Sequence, residues 1–488
     1  LLVFALFFIL SGEFATGLLV GLLFAIHPMR VESVAWIAER KDVLSALFYF
    51  LSLLLYVQYL KGNSRKSYWL CAFAFLLSLL SKPMAVSLPF VMLLVYYLKK
   101  GIPDKNALIK TVPFFILAAI FGVVTLITQN VSGPAQDYYP GSLLQKVCVP
   151  FYGIVFYLVK TIVPVHLSSF YPFPNKLEGA MAFRLLVSPF LVIGIIATVY
   201  HFRNRFKEIV FGSLFFLVTI LPVLQILPIG STIVAERYTY IPMLGIYFII
   251  AKGCMFLLGE KKAKNNVLKA LLISGVSIIL LIFAGITYER CGVWKDSFSL
   301  WNDVLAKNPI DAGYYFRGAA YSARSNYDRA IDDFNEAIML NPKYSLAYIG
   351  RGGAYFSKGE NDRAIEDYSM AVQLMPANEI AYGCRGAAYS KKGDFERAIA
   401  DYSEAIRIDP KSAFASYCNR GMAYCNKGDV FKGIDDFSAA ISLNPSFNAV
   451  YYYRGVAYNA IGEHVRAQED IAKACSMGFE AACRQAAQ

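Results

Sequence analysis

Between His27 and Asp42 the chain reads HPMRVESVAWIAERKD. Three acids (Glu32, Glu39, Asp42), three bases (Arg30, Arg40, Lys41), His27 and Trp36 stand there between two apolar stretches. Charge at that density beside lipid is costly unless the groups pair, face water or bind a charged ligand. The plain reading is a solvated loop with internal ion pairs. The apolar Val31, Val34, Ala35 and Trp36 argue instead for a short amphipathic helix that aims its charges at one site. A second group, Gly230–Pro242, reads GSTIVAERYTYIP and sets Glu236-Arg237 beside Tyr238 and Tyr240. Tyrosines before a span often only anchor it. A guanidinium next to them also suits a lipid phosphate, which it grips through two parallel N–H bonds. Lys82, beside Pro83 at a polar break, either supplies another cation or snorkels to the interface.

The elements that must position these residues are membrane helices. Spans of about 20 apolar residues are expected near 8–26, 43–60, 111–128, 184–201, 208–228, 240–258 and 268–288. Residues 68–98 are broken by Ser81-Lys82-Pro83 and read as two short helices, 68–80 and 84–98. Basic loops at Lys61–Lys66, Lys99–Lys110, Arg203–Lys207 and Lys261–Lys264 orient the chain by the positive-inside rule. Their agreement requires 143–164 to be a re-entrant or interfacial helix, with Lys146, Tyr152, Tyr157 and Lys160 at the interface. The charged loops, and all that follows residue 288, then fall on the extracytoplasmic side. Leu1 opens an apolar run with no basic flank or cleavage site, which is expected to lie inside a span whose upstream part is not in this sequence.

Composition agrees with this division. Of 488 residues 57% are hydrophobic. Residues 1–288 carry 24 Lys/Arg against 10 Asp/Glu, and residues 289–488 carry 23 against 25. The net +12 therefore reflects membrane topology, and nucleic acid is excluded as a partner by the slightly acidic C-terminal half. Nine cysteines and four histidines show no metal-ligand spacing, so no metal is expected. Cys475 and Cys483 either pair, in an oxidising compartment, or are two buried thiols.

From Asp311 onward a pattern returns about every 34 residues. Arg317-Gly318, Arg351-Gly352, Arg385-Gly386, Arg420-Gly421 and Arg454-Gly455 mark five starts; Pro342, Pro376, Pro410 and Pro445 mark four ends. The expected organisation is a membrane domain over 1–289, a connector with a partial repeat over 290–310, five tetratricopeptide (TPR) repeats over 311–481 and a tail over 482–488. The arginines stand in register with Asp333, Asp367, Asp401, Asp436 and Asp470, as an ion pair between the two helices of each repeat. Tyr315, Ile349, Phe356, Met422 and Tyr452 are expected to face the groove. They favour an extended, partly apolar peptide over an acidic tail. The fold class is thus all-α, a polytopic helical membrane domain followed by a TPR solenoid.

The strings HPMRVESVAWIAERKDVLSALF, LLSKPMAVSLPF and AERYTYIPMLG, followed by C-terminal TPRs, resemble the TMTC-type (transmembrane and TPR repeat-containing) family. The resemblance implies a GT-C fold and transfer of a mannose-like sugar from a polyprenyl-phosphate donor to a protein hydroxyl outside the cytoplasm. It implies no cofactor beyond that donor, with membrane lipid and an acceptor protein as partners. In the family the catalytic acids lie in the first outer loop, which this resemblance places upstream of residue 1. The chain alone is accordingly expected to be inactive. Arg40, Lys41, Lys82 and Arg237 become candidates for the donor phosphate. His27, Glu32, Asp42, Glu236 and Tyr238 would shape the site, with Glu32 and Asp42 pairing to Arg40 and Lys41. The rival reading is a non-catalytic, membrane-anchored TPR scaffold; a transporter is disfavoured by the scarcity of charge inside the spans. The short repeat array favours a bacterial inner membrane over an endoplasmic reticulum.

Overall fold

The computed structural model describes residues 1–131, 143–173, 179–226, 232–259 and 266–486. The expected basic loop at Lys261–Lys264 and most of the loop before Leu144 lie outside the described residues. The described chain is helical apart from one two-stranded ribbon and divides into two compact units, Leu1–Asp303 and Val304–Gln488.

The first unit begins with a helical hairpin, α1 (Leu2–Ser11) and α2 (Phe14–Ile26). The single span expected at 8–26 is therefore two helices. Gly12 takes a left-handed conformation (φ 76°) that ends α1, and Glu13 starts the return. After a turn at Pro28–Arg30, α3 (Val31–Ala35) and a second turn lead into α4 (Arg40–Gly62), α5 (Arg65–Ser81), α6 (Leu88–Lys100) and α7 (Lys105–Val131). The Lys82-Pro83 break separates α5 from α6, as its sequence predicts. Then come α8 (Leu143–Ile162), α9 (Gly179–Phe202), α10 (Lys207–Ile220), α11 (Met243–Leu258), α12 (Asn266–Val293) and α13 (Ser297–Lys307).

By length and composition, five helical segments of the described residues can cross a membrane: Ile37–Gly62, Pro83–Lys100, Lys105–Thr128, Met181–Phe202 and Asn266–Val293. A sixth is the bent pair Phe14–Ile26 and Pro28–Ala35. The protein is a membrane protein. α10 and α11 are shorter than expected, because Pro222 follows the end of one and Pro242 precedes the other. These two cross closely at Gly212 and Gly245, where a Cβ on either residue would collide with the other's carbonyl oxygen. Between α4 and α5 each of Ser45 and Ser78 donates its hydroxyl to the other's carbonyl, at 3.1 and 2.8 Å.

α8 packs against α9. Gly153, Tyr157 and Thr161, on successive turns, meet Leu224, Ala235 and Met243. Tyr157 does not sit at an interface: it is 1% exposed, and its hydroxyl accepts the Ala235 N–H at 3.1 Å.

The second unit stacks helix pairs: α14 (Asp311–Ala323) with α15 (Tyr327–Leu340), α16 (Ser345–Ser357) with α17 (Asn361–Leu374), and α18 (Glu379–Lys391) with α19 (Phe395–Ile408). α20 (Phe414–Lys427) pairs with α21 (Val430–Leu443), α22 (Asn448–Ala460) with α23 (His464–Ser476), and α24 (Glu480–Ala486) follows. In the first four repeats the repeated glycine lies under the aromatic ring of the second helix, and in the fifth under Ile471: a Cβ on Gly352 would meet the Tyr368 ring at 2.8 Å. Each arginine grips its aspartate through Nε and Nη2, as Arg385 does Asp401 at 2.8 and 2.7 Å. A further donor reaches backward. Nη1 of Arg351, Arg385, Arg420 and Arg454 donates to Asn335, Ser369, Ser403 and Ser438 of the preceding repeat. Cys475 and Cys483 form a disulfide joining α23 to α24.

Candidate functional site

The charged loops converge at one end of the first unit. The short helix α3 ends where Trp36 turns extended, so Glu32, Glu39 and Asp42 point inward, while Arg40 and Lys41 at the start of α4 stay exposed. The inward acids meet cations from distant segments. Glu32 Oε1 lies 2.5 Å from Arg237 Nη1, and its Oε2 accepts the Arg237 backbone N–H at 2.8 Å. Glu39 lies 3.6 Å from Arg237 Nε and 3.4 Å from Lys82 Nζ. Asp42 pairs closely with Lys82 and accepts the Ser33 hydroxyl at 3.2 Å. Glu32 and Asp42 thus pair with Arg237 and Lys82, not with the expected Arg40 and Lys41. Their sequence neighbours face outward, and only Lys41 touches the network, 3.7 Å from Glu39.

Arg237 sits between the rings of Trp36 and Tyr238, 5.5 and 5.1 Å from their centroids. Burial alone would lower its pKa; Glu32, Tyr238 and Glu39 outweigh that and hold it above its ordinary value. Glu32 and Glu39 use Nη1 and Nε of Arg237, and Glu39 and Asp42 take two of the three Lys82 donors. Among the described residues, both cations keep a donor for a ligand. Asp42, Lys82, Arg237 and Tyr238 line a cavity of about 30 Å³ with Ser45, Ser87 and Thr219. That holds a water molecule and is smaller than a sugar.

The turn Glu236–Thr239 that carries Arg237 is fixed on every side. Glu236, fully buried, points away from the cavity. It lies 3.1 Å from Arg290 Nη2 and accepts the Tyr171 hydroxyl at 2.9 Å. Burial and then Glu236 push the Tyr171 hydroxyl pKa up. Arg290 also donates to Leu167 O and lies 3.7 Å from Asp303. Ribbon strands β1 (Tyr171–Pro172) and β2 (Thr232–Val234) lead into the same turn. Arg30 donates to the Thr239 carbonyl and hydroxyl at 2.7 and 2.8 Å, beneath the rings of Phe24, Tyr240 and Tyr247. His27 donates through Nε2 to Thr161 O at 3.0 Å, and its Nδ1 accepts the Met29 N–H. Both of its ring nitrogens are spent on structure. Glu39 and Arg30, not singled out as site residues from the sequence, are members of the cluster. Their signal was present in the same charged stretch.

In the second unit, Tyr315, Ile349, Phe356, Met422 and Tyr452 are half-buried and pack into the seams between helices.

Two TPR family models match, one, "Tetratricopeptide repeat", over 312–344 and 380–412, the other, "TPR repeat", over 352–393. A Caenorhabditis elegans protein named protein O-mannosyl-transferase F38B6.6 is 24% identical over 342 residues, 66% of this chain and 46% of that one. The Xenopus laevis protein O-mannosyl-transferase tmtc2 is 25% identical over 419 residues, 67% of this chain and 49% of that one. These matches support membership of the TMTC-type family. The chain spans about half the length of these TMTC-type relatives. Among solved structures, the crystal structure of MamA has 24% identity and a TM-score of 0.32, covering 34% of this chain and 91% of that one. That of YrrB, titled a TPR protein with an unusual peptide-binding site, has 20% identity and a TM-score of 0.32, over 36% and 92%.

Proposed function

We propose that the protein acts as a membrane glycosyltransferase. A mannose-like sugar passes from a polyprenyl-phosphate donor to a protein hydroxyl on the extracytoplasmic side, while the repeats bind the acceptor or a partner protein. One observation carries this reading: Lys82 and Arg237, brought from distant segments, border one cavity, each with a donor left over among the described residues. In the reaction the acceptor oxygen bonds to the anomeric carbon and the bond from that carbon to the phosphate oxygen breaks. The lipid phosphate departs with the bonding electrons. Its charge is what Lys82 and Arg237 would stabilise. The hydroxyl proton passes to a carboxylate that we do not assign. Arg40 and Lys41, exposed at the rim, would meet the donor only on approach.

The charge balance supports a second reading, a non-catalytic scaffold. Each part-buried cation already holds a carboxylate, and the cavity is small. The experiment that separates them is a transfer assay in membranes with a polyprenyl-phosphate-mannose donor, comparing wild type with Arg237→Lys. The substitution keeps the charge opposite Glu32 but removes the planar fork. Transfer falling at least about tenfold in a folded variant supports the enzyme, since one charge-assisted hydrogen bond is lost. Because transfer also needs the acids that the family resemblance expects upstream, donor binding is measured beside it, and no binding of the donor by wild type supports the scaffold.

A further inference from the structure

The end of the first unit opposite the charged cluster holds a second, larger cavity, of about 400 Å³, lined by Glu13, Glu208, Lys252, Ile249, Met255 and Phe256 among others. Glu13 stands in the α1–α2 turn and Glu208 in the first turn of α10. Lys252 is six residues before the end of α11, about 9 Å below it at the helical rise. Lys252 Nζ lies 2.8 Å from Glu13 Oε1, with the two side chains 21% and 43% exposed. Glu208 has no ion pair among the described residues. An ionisable cluster set into the apolar walls of a membrane helix bundle marks a ligand site more often than a fold requirement.

We propose that this cavity binds the headgroup of a phospholipid bearing a primary ammonium, such as phosphatidylethanolamine. Two carboxylates and one ammonium line the cavity, and Arg203, Arg205 and Lys207 lie beside it, so the N–H acceptors and not the net charge would set the lipid preference. Lys252 spends one of its three donors on Glu13 and keeps two for a phosphate oxygen. Glu208 is placed to accept N–H bonds from the lipid ammonium. A choline headgroup offers no N–H and cannot make those bonds. Ile249, Met255 and Phe256 give the acyl chains an apolar wall at the depth where a headgroup meets the hydrocarbon. Glu13 and Glu208 stand at helix ends, where a headgroup would reach them, with Lys252 one to two turns deeper.

The test uses the full chain in nanodiscs holding equal amounts of phosphatidylethanolamine, phosphatidylcholine and phosphatidylglycerol with matched acyl chains. Lipids retained by the released protein are counted by native mass spectrometry. Phosphatidylethanolamine should exceed each of the others about tenfold, the effect of one charge-assisted hydrogen bond. Glu208→Gln and Lys252→Met should each remove most of that preference. Glu208→Gln breaks no ion pair among the described residues, so it decides the matter if Lys252→Met fails to fold. Equal retention of the three lipids, or an unchanged preference in Glu208→Gln, overturns the proposal. Displacement of the lipid by free phosphoethanolamine at equal concentration would show that the acyl chains contribute nothing, and would overturn the assignment to a lipid.

Discussion

Glu236 and Arg237 are neighbours in sequence and face opposite ways: Glu236 meets Arg290 on α12, and Arg237 meets Glu32 on α3. One short turn therefore holds two ion pairs, a buried structural one and a part-buried one at the cavity. Arg290 on α12 and Glu32 on α3 are thereby joined through a single turn.

The structural pair makes a stability prediction. Arg290→Met leaves Glu236 buried without its cation and should cost about 3–5 kcal/mol. Adding Glu236→Gln removes the orphaned charge and should recover part of that loss. Thermal unfolding of the three variants in detergent checks the order. A double variant no more stable than Arg290→Met alone would show that the pair is not coupled.

The same logic applies at the cavity with a different readout. Arg237→Ala should destabilise the protein because Glu32 is fully buried, and Glu32→Gln in that background should restore much of the stability. Neither variant should regain sugar transfer, because the proposed phosphate ligand is gone. Recovery of transfer in the double variant would remove Arg237 from the proposed donor site.

Adjacent glycines in one repeat should respond with opposite signs. A Cβ on Gly352 meets the Tyr368 ring at 2.8 Å, whereas one on Gly353 has nothing nearer than the Tyr368 hydroxyl at 3.8 Å. Gly352→Ala should cost about 1–3 kcal/mol by overpacking. Gly353→Ala should gain up to about 1 kcal/mol from helix propensity. Urea unfolding of the repeat unit measures both.

Sidedness can be read by cysteine labelling. Single cysteines at Trp36 and at Asn63, on a background whose other accessible thiols are removed, should react with an impermeant reagent from opposite faces of the membrane. Labelling of both from one face would break the orientation drawn from the basic loops.

Much of the architecture was legible because it is periodic. The repeats carry their helix boundaries in every copy, and the arginine–aspartate register predicted pairs that form at every step. The bundle was read less completely. Ser11-Gly12-Glu13 breaks an apolar run too briefly for a hydropathy window, so two helices looked like one span. Lys82 and Arg237 were found, since cations near spans stand out. Their partners were not, because Glu32 and Arg237 are 205 residues apart and Lys82 and Asp42 are 40. No local pattern relates them. Tyr157 suits an interface by residue type, yet it is buried on the face it shares with Thr161, four residues on. The Cys475–Cys483 pairing needed coordinates, since spacing alone does not fix a bridge.

The backward reach of the arginines bears on how such an array changes length. The acceptor is always the residue after the repeat's central aromatic, asparagine or serine, so every repeat from the first to the fourth offers its successor an interchangeable socket. Excising any one of the middle repeats would bring together a plug and a socket that already match. Duplicating one would do the same. The array can shrink or grow by whole units with no new contact having to arise at the seam.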